Sequence, residues 1–150
     1  MKKNIATLLL LIATQLIFAA ENKPEERNLQ GLADETAISK FCNEFMKKAL
    51  EGDFQKAFSL TKAIWPIEEK SIAKLESKVY EQMPFVKKEY GQALNYQFLE
   101  KKEKLGIVSK WVFIIKHEKH LIRWVFVFYK PEDTWYLNHL SFDDKIQKVF

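Results

Sequence analysis

The hydrophobic period changes once along this chain, and the change divides it into two kinds of structure. From Thr36 to Leu50, Ala37, Ile38, Phe41, Cys42, Phe45, Met46, Ala49 and Leu50 recur three and four residues apart. That spacing keeps side chains on one face of an α-helix and predicts a first helix with Cys42 on its buried side. Gly52 then supplies a stop and Asp53 a new start, because aspartate accepts the free amide hydrogens of a helix N-terminus. A short second helix follows through Phe54, Ala57, Phe58 and Leu60. Trp65-Pro66 marks a break, and Pro66 suits the first turn of a third helix with Glu68 and Glu69 near its positive end. The stripe Ile72, Leu75, Val79, Tyr80 and Met83 carries that helix to Pro84. There proline is expected to end or kink it, with one further turn from Phe85 to Tyr90 stopping at Gly91.

After Gly91 the period shortens to two. Four strand-like runs follow, Leu94 to Lys102, Ile107 to His117, Leu121 to Lys130 and Trp135 to Phe142, separated by short polar turns. Hairpin-length connections imply an antiparallel meander, and helices followed by strands imply an α+β domain. The third run is apolar at nearly every residue, so both faces of the sheet are covered at its centre. If Glu118-Lys119 is a two-residue turn, Trp111 faces Phe126, Phe113 faces Trp124 and Ile115 faces Ile122. That aromatic face should meet the helices. The other face then carries Val112, Val125, Val127, Leu140 and Tyr136, with Arg123 and Asn138 among them. Three helices are too few for two faces, which points to a homodimer through the sheet.

The first twenty residues follow a different rule. Met1-Lys2-Lys3-Asn4 precedes a mostly apolar run from Ile5 to Phe18, then Ala19-Ala20 and a polar segment. This is the order of a secretory signal peptide, and the run is shorter than the ~20 apolar residues of a membrane span. The expected location is periplasmic or secreted, with cleavage near Ala19 or Ala20 and no span afterwards. Either cut leaves Ile17 or Phe18 where the peptidase prefers a small residue, so a retained anchor stays the alternative. Residues 21–35 are polar without apolar period and are expected to be a flexible leader, leaving 36–150 as a single domain.

Composition narrows the classes. The 47% hydrophobic and 14% aromatic content suffices for a core in a domain of roughly 130 residues. Cys42 is the only cysteine, so no internal disulfide staples the fold. The formal charge of +4 includes Lys2 and Lys3, and the remaining lysines alternate with glutamates rather than clustering. A nucleic-acid partner is therefore not expected.

The order of elements, the segment Leu50 to Thr61 (LEGDFQKAFSLT) and the final strand Trp135 to Phe142 (WYLNHLSF) resemble the NTF2-like, cystatin-like superfamily. The likeness extends to its small exported domains, in which a Gly-Asp-aromatic-x-x-Ala step joins the first two helices; here the step is Gly52, Asp53, Phe54 and Ala57. The resemblance implies a cone of N-terminal helices on a curved four-stranded antiparallel meander sheet, with an apolar cavity between them and often a dimer through the sheet. No strand pair is visible between the second and third helices, a departure from the fuller pattern. The superfamily contains isomerases, dehydratases, transport factors and binding modules, so fold does not choose a function.

Candidate chemistry is sparse. His117-Glu118-Lys119-His120 places its histidines three apart at a hairpin tip, not four apart on a helix, and reads as a solvated turn. His139 is expected on the aromatic face with Phe126 and Leu137, either as a pocket-wall histidine or as a general base. Trp111, Trp124, Phe126 and His139 are the expected ligand-binding residues. Arg123, Tyr129, Tyr136 and Asn138 are the expected interface, where Arg123 meets an acidic partner across a dimer or an anionic ligand. Asp133, Asp143 and Asp144 read as solvated caps. No motif implies a cofactor or a metal. The expectation is a non-enzymatic exported domain that binds a small apolar ligand, a peptide or an envelope protein. The alternatives are a lyase or isomerase using His139, and an envelope accessory protein docked by residues 21–34.

Overall fold

The computed structural model describes residues 27–150, so the expected signal peptide and the first part of the leader lie outside the described residues. Three helices, α1 (Glu35–Leu50), α2 (Phe54–Thr61) and α3 (Glu69–Tyr90), precede four strands. The strands β1 (Ala93–Lys104), β2 (Val108–His117), β3 (Leu121–Tyr129) and β4 (Tyr136–Asp143) form an antiparallel meander in the order β1-β2-β3-β4. The chain is thus an α+β domain with its helices before an open sheet, as the change of period implies.

Capping explains two of the helix starts. Asp34 accepts from the Ala37 amide at 2.8 Å, and Asp53 accepts from the Lys56 amide at 3.1 Å. Each satisfies one of the amides that a first helical turn leaves without a partner. The third helix differs from expectation at both ends. Pro66 lies three residues before it, in the irregular link, and Glu68 is the N-cap. At the other end α3 runs through Pro84 without a break to Tyr90. Pro84 and Tyr80 both lie on the exposed side of α3, where water can satisfy the carbonyl that loses its amide partner.

One face of the sheet packs on α1. Phe45 sits at the centre, its ring centroid 5.2 Å from Phe126, 5.4 Å from Trp124 and 5.5 Å from Phe58 of α2. Phe41 reaches Phe126 and Phe128 edge-on. Trp111 pairs with Phe126, Phe113 with Trp124 and Ile115 with Ile122, the register that a two-residue turn at Glu118-Lys119 demands.

Irregularities in the outer strands redirect side chains. In β4 the pairing shifts between Val127↔His139 and Phe128↔Leu137, leaving Asn138 as an extra residue. Such a bulge turns the residues beyond it to the opposite face. Leu137 and Leu140 consequently both point to the core, and His139 shares the outer face with Val127. Leu140, expected on that outer face, is a core residue for the same reason. β1 carries two further shifts, between Ala93 and Asn95 and between Phe98 and Glu100.

The centre of the outer face is buried within the single chain. Val112 is fully buried and Val125 nearly so, although no helix lies over them. Their neighbours on that face include long charged side chains, whose aliphatic stems can cover apolar surface. Glu100, paired with Val112, binds Lys102 at 2.8 Å and Lys110 at 2.9 Å, and Arg123 lies beside them. The burial of these two valines therefore does not itself require a second subunit.

Part of the expected leader is also fixed. Arg27 donates to the carbonyls of Lys62, Trp65 and Ile67, and the Gln30 amide donates to Ala63. Leu32 forms a two-way bridge with Trp135. Residues 27–34 strap the link between α2 and α3 to the start of β4 instead of swinging free.

Two outcomes check this packing. Cys42 is fully buried, and burial raises its thiol pKa far above the ordinary value. Thiol reagents should therefore label it only as fast as the protein unfolds, whereas rapid labelling of the native protein contradicts the placement of α1. Phe45→Ala should cost about 3–5 kcal/mol in denaturant unfolding, and a loss under 1 kcal/mol would remove Phe45 from the centre of the core.

Candidate functional site

α3 is a long helix with a narrow buried stripe, Ile72, Val79 and Val86. It leans on α2, and its C-terminal end is tied to the β2–β3 hairpin. Gly91 closes the helix with a positive φ of 82°, a conformation glycine adopts without steric cost. A Cβ there would also strike the Glu118 carboxylate. The hairpin tip grips this end with its backbone and side chains. Lys119 N–H donates to the Tyr90 carbonyl, Glu118 and Gln92 bond reciprocally, and His117 Nδ1–H donates to the Gly91 carbonyl at 3.1 Å. His120 donates from Nε2 to the Asp144 carbonyl at 2.9 Å and lies edge-on to Tyr90, whose hydroxyl donates to Asp144 Oδ2 at 2.6 Å. That bond holds the Tyr90 hydroxyl above its ordinary pKa. The segment read as a solvated turn is thus a clasp joining helix, hairpin and C-terminal segment.

Between the clasp and the α1–α2 corner the helices and sheet do not close. The result is a partly open pocket of about 270 Å³, near the lower edge of the ~300–1,000 Å³ of ligand pockets. Phe54, Met83, Val86, Ile115, Ile122 and Trp124 form its apolar wall. Ala49, Gly52 and Ala93 leave the space, since larger side chains at those positions would enter it. Tyr80, Lys87, Gln92 and His117 supply the polar part of the lining, which includes no carboxylate. Tyr80 accepts from the Gln55 amide at 3.2 Å, leaving its own hydroxyl hydrogen to donate.

Trp124 is the unusual member of the wall. It is 1% exposed, with Phe142 and Phe54 stacked on its ring and Phe45 against it edge-on. Its indole Nε1–H has no acceptor among the described residues. A buried donor left unpaired costs about 1–3 kcal/mol, and buried polar groups are nearly always satisfied.

Of the four expected ligand-binding residues, only Trp124 lines the pocket. Phe126 is fully buried between Phe45 and Phe113. Trp111 is packed away, donating to Ser109 Oγ at 2.9 Å with the Lys101 ammonium over its ring. His139 is exposed on the far face, put there by the β4 bulge. Sequence reasoning missed His117 and Lys87 as pocket residues, although His117 continues the inward alternation of Trp111, Phe113 and Ile115.

The expected interface residues separate. Tyr129 pairs with Tyr136 across β3 and β4, and Asn138 is the exposed bulge residue. Arg123 finds its acidic partner within the chain, Asp143, through Nε–Oδ1 at 3.1 Å and Nη2–Oδ2 at 2.7 Å. Asp143 is accordingly tied to Arg123 as well as to the Lys145 amide, and the exposed Asp144 accepts from Tyr90. Burial pushes the Asp143 carboxyl up, but bonds from the Arg123 guanidinium and the Lys145 amide outweigh it and leave the pKa below the ordinary 3.8.

No family model, curated protein or solved structure matches the chain. No helix among the described residues is long and apolar enough to cross a membrane.

The lowered pKa of Asp143 fixes a sign. Its contribution to stability is complete above the unfolded value near 3.8 and is lost as pH falls through the lower folded value. Asp143→Asn should cost about 1–2 kcal/mol at neutral pH and flatten the acid limb of the stability curve below pH about 4. Parallel acid limbs in the two proteins would refute the assignment.

Proposed function

We propose that this domain is a non-enzymatic binding protein that holds a small apolar ligand in the pocket between α3 and the β2–β3 hairpin. The observation that carries the reading is a partly open apolar pocket whose lining also includes the polar side chains of Tyr80, Lys87, Gln92 and His117. Ligand sites typically combine apolar walls with a few orienting polar groups. Helices that stand off one end of a meander sheet accord with the cavity implied by the NTF2-like resemblance. We further infer from the pattern of Met1 to Ala20 that the domain works outside the cytoplasm. A lyase or isomerase using His139 is not favoured, because His139 stands on the opposite face from the pocket.

The test is titration with an apolar fluorophore, anilinonaphthalene sulfonate, against the native protein and Ala93→Trp. Ala93 is exposed on the rim, so tryptophan there should narrow the pocket without disturbing the core. Saturable binding of one dye per chain, reduced at least about tenfold in the variant, is the expected outcome. Equal binding by both folded proteins, or none by either, refutes the reading.

A further inference from the structure

We propose that the clasp end of the domain docks on a membrane surface of anionic phospholipid. The inference is independent of what the pocket holds and concerns the outside of the same end. Strand pairing builds the surface. The antiparallel register sets the start of β1 beside the end of β2 and the start of β3 beside the end of β4. The clasp adds the last turn of α3 and the C-terminal segment. Lysines far apart in the sequence are thereby gathered: Lys87 and Lys88 on α3, Lys116 and Lys119 on the hairpin, Lys145 and Lys148 after β4, all exposed.

Charge distinguishes this end from the other. Residues 87–92, 115–123 and 143–148 carry seven cationic side chains and four carboxylates. Two of those carboxylates are already neutralised, Asp143 by Arg123 at 2.7 Å and Glu89 by Lys88 at 3.6 Å. The other five lysines have no ion-pair partner among the described residues. Against them stand Glu118, which accepts from the Gln92 amide, and Asp144, which accepts from the Tyr90 hydroxyl. At the opposite end, residues 34–35, 101–104 and 130–133 carry five carboxylates and four lysines, and Lys101 bonds both Glu35 and Glu103. The domain is thus electrically polarised, with positive charge in excess at the clasp, and an anionic bilayer attracts lysines so placed.

Exposed apolar side chains favour lipid over a soluble polyanion. Phe85 and Ile146 are 57% and 49% exposed, and Leu94 and Phe150 are exposed as well. The Phe85 ring stands 5.9 Å from Tyr90, whose ring lies 4.6 Å from His120, so aromatic surface continues onto the lysine-bearing hairpin. Nucleic-acid phosphates or an acidic peptide gain little from such side chains. At a bilayer, apolar groups enter the headgroup boundary while cations hold the anionic lipids. Leu105 and Ile107 are exposed at the opposite end too, but among carboxylates that an anionic surface repels. Lys87, Gln92, Ala93 and His117 of the pocket lining belong to the docked end, so docking brings the pocket close to lipid.

The experiment measures co-sedimentation of the folded protein with vesicles of phosphatidylcholine alone and of equal parts phosphatidylcholine and phosphatidylglycerol, at low and at high salt. The native protein should bind the mixed vesicles at least about tenfold more tightly than the neutral ones and lose most of that difference at high salt. Lys116→Gln, Lys119→Gln, Lys145→Gln and Lys148→Gln combined should weaken binding to mixed vesicles at least about a hundredfold, since each lysine near an anionic surface contributes a factor of about five. A control of the same net charge, Lys40→Gln, Lys74→Gln, Lys102→Gln and Lys104→Gln combined, removes lysines elsewhere and should change binding less than about threefold. Phe85→Ser with Ile146→Ser should weaken it about tenfold. Equal losses in the two lysine variants would reduce the attraction to net charge and overturn the assigned surface. Polyglutamate bound as tightly as the mixed vesicles would assign the surface to an acidic protein, and vesicle binding that the serine changes leave intact, or no vesicle binding at all, also overturns the proposal. None of these results bears on the dye titration of the pocket.

Discussion

The contact between Phe45 and the aromatic face of the sheet governs the arrangement of everything else. Phe45 meets Phe126, Trp124 and Phe58 at once, so one side chain fixes α1 against β3 and α2 against both. With no disulfide available, aromatic burial has to define a unique packing, and edge-on ring pairs add geometric preference to the area buried. Once α1 and α2 are seated, α3 has little of the sheet's inner face left to cover. It leans on α2, and its C-terminal end is tied to the β2–β3 hairpin by the clasp.

That clasp explains the pocket. A helix supported along its whole length by the sheet would close over Ile115, Ile122 and Trp124. Here the bonds from His117, Glu118 and Lys119 tie down the end of α3, while Phe54 and the small residues Ala49 and Gly52 shape the opposite wall. The cavity is thus a consequence of anchoring α3 at one end.

The large periods were legible in the sequence. The three-and-four spacing located α1, alternation located all four strands, and the Glu118-Lys119 turn set the β2–β3 register. What escaped were features in which one residue breaks a period. The extra residue Asn138 reverses the face of His139 and places Leu140 in the core, and nothing in an apolar-polar string marks it. Pro84 defeated the helix-ending rule because it stands on the solvent side. Arg123 looked like an interface residue because its partner, Asp143, lies beyond the alternating part of β4 and becomes a neighbour only through strand pairing. His117 was legible in principle, since it stands in phase with Ile115, but its place at a polar tip concealed the role.

The central claim is that the opening beside Trp124 is a binding site and not a packing defect. Native mass spectrometry tests it most directly, on protein purified without detergent from an exporting host and compared with Ala93→Trp. The account predicts a small organic molecule retained one per chain in the native protein and absent from the variant. An identical adduct on both proteins, or an empty native protein that also fails to retain any small apolar ligand added to it, would contradict the account.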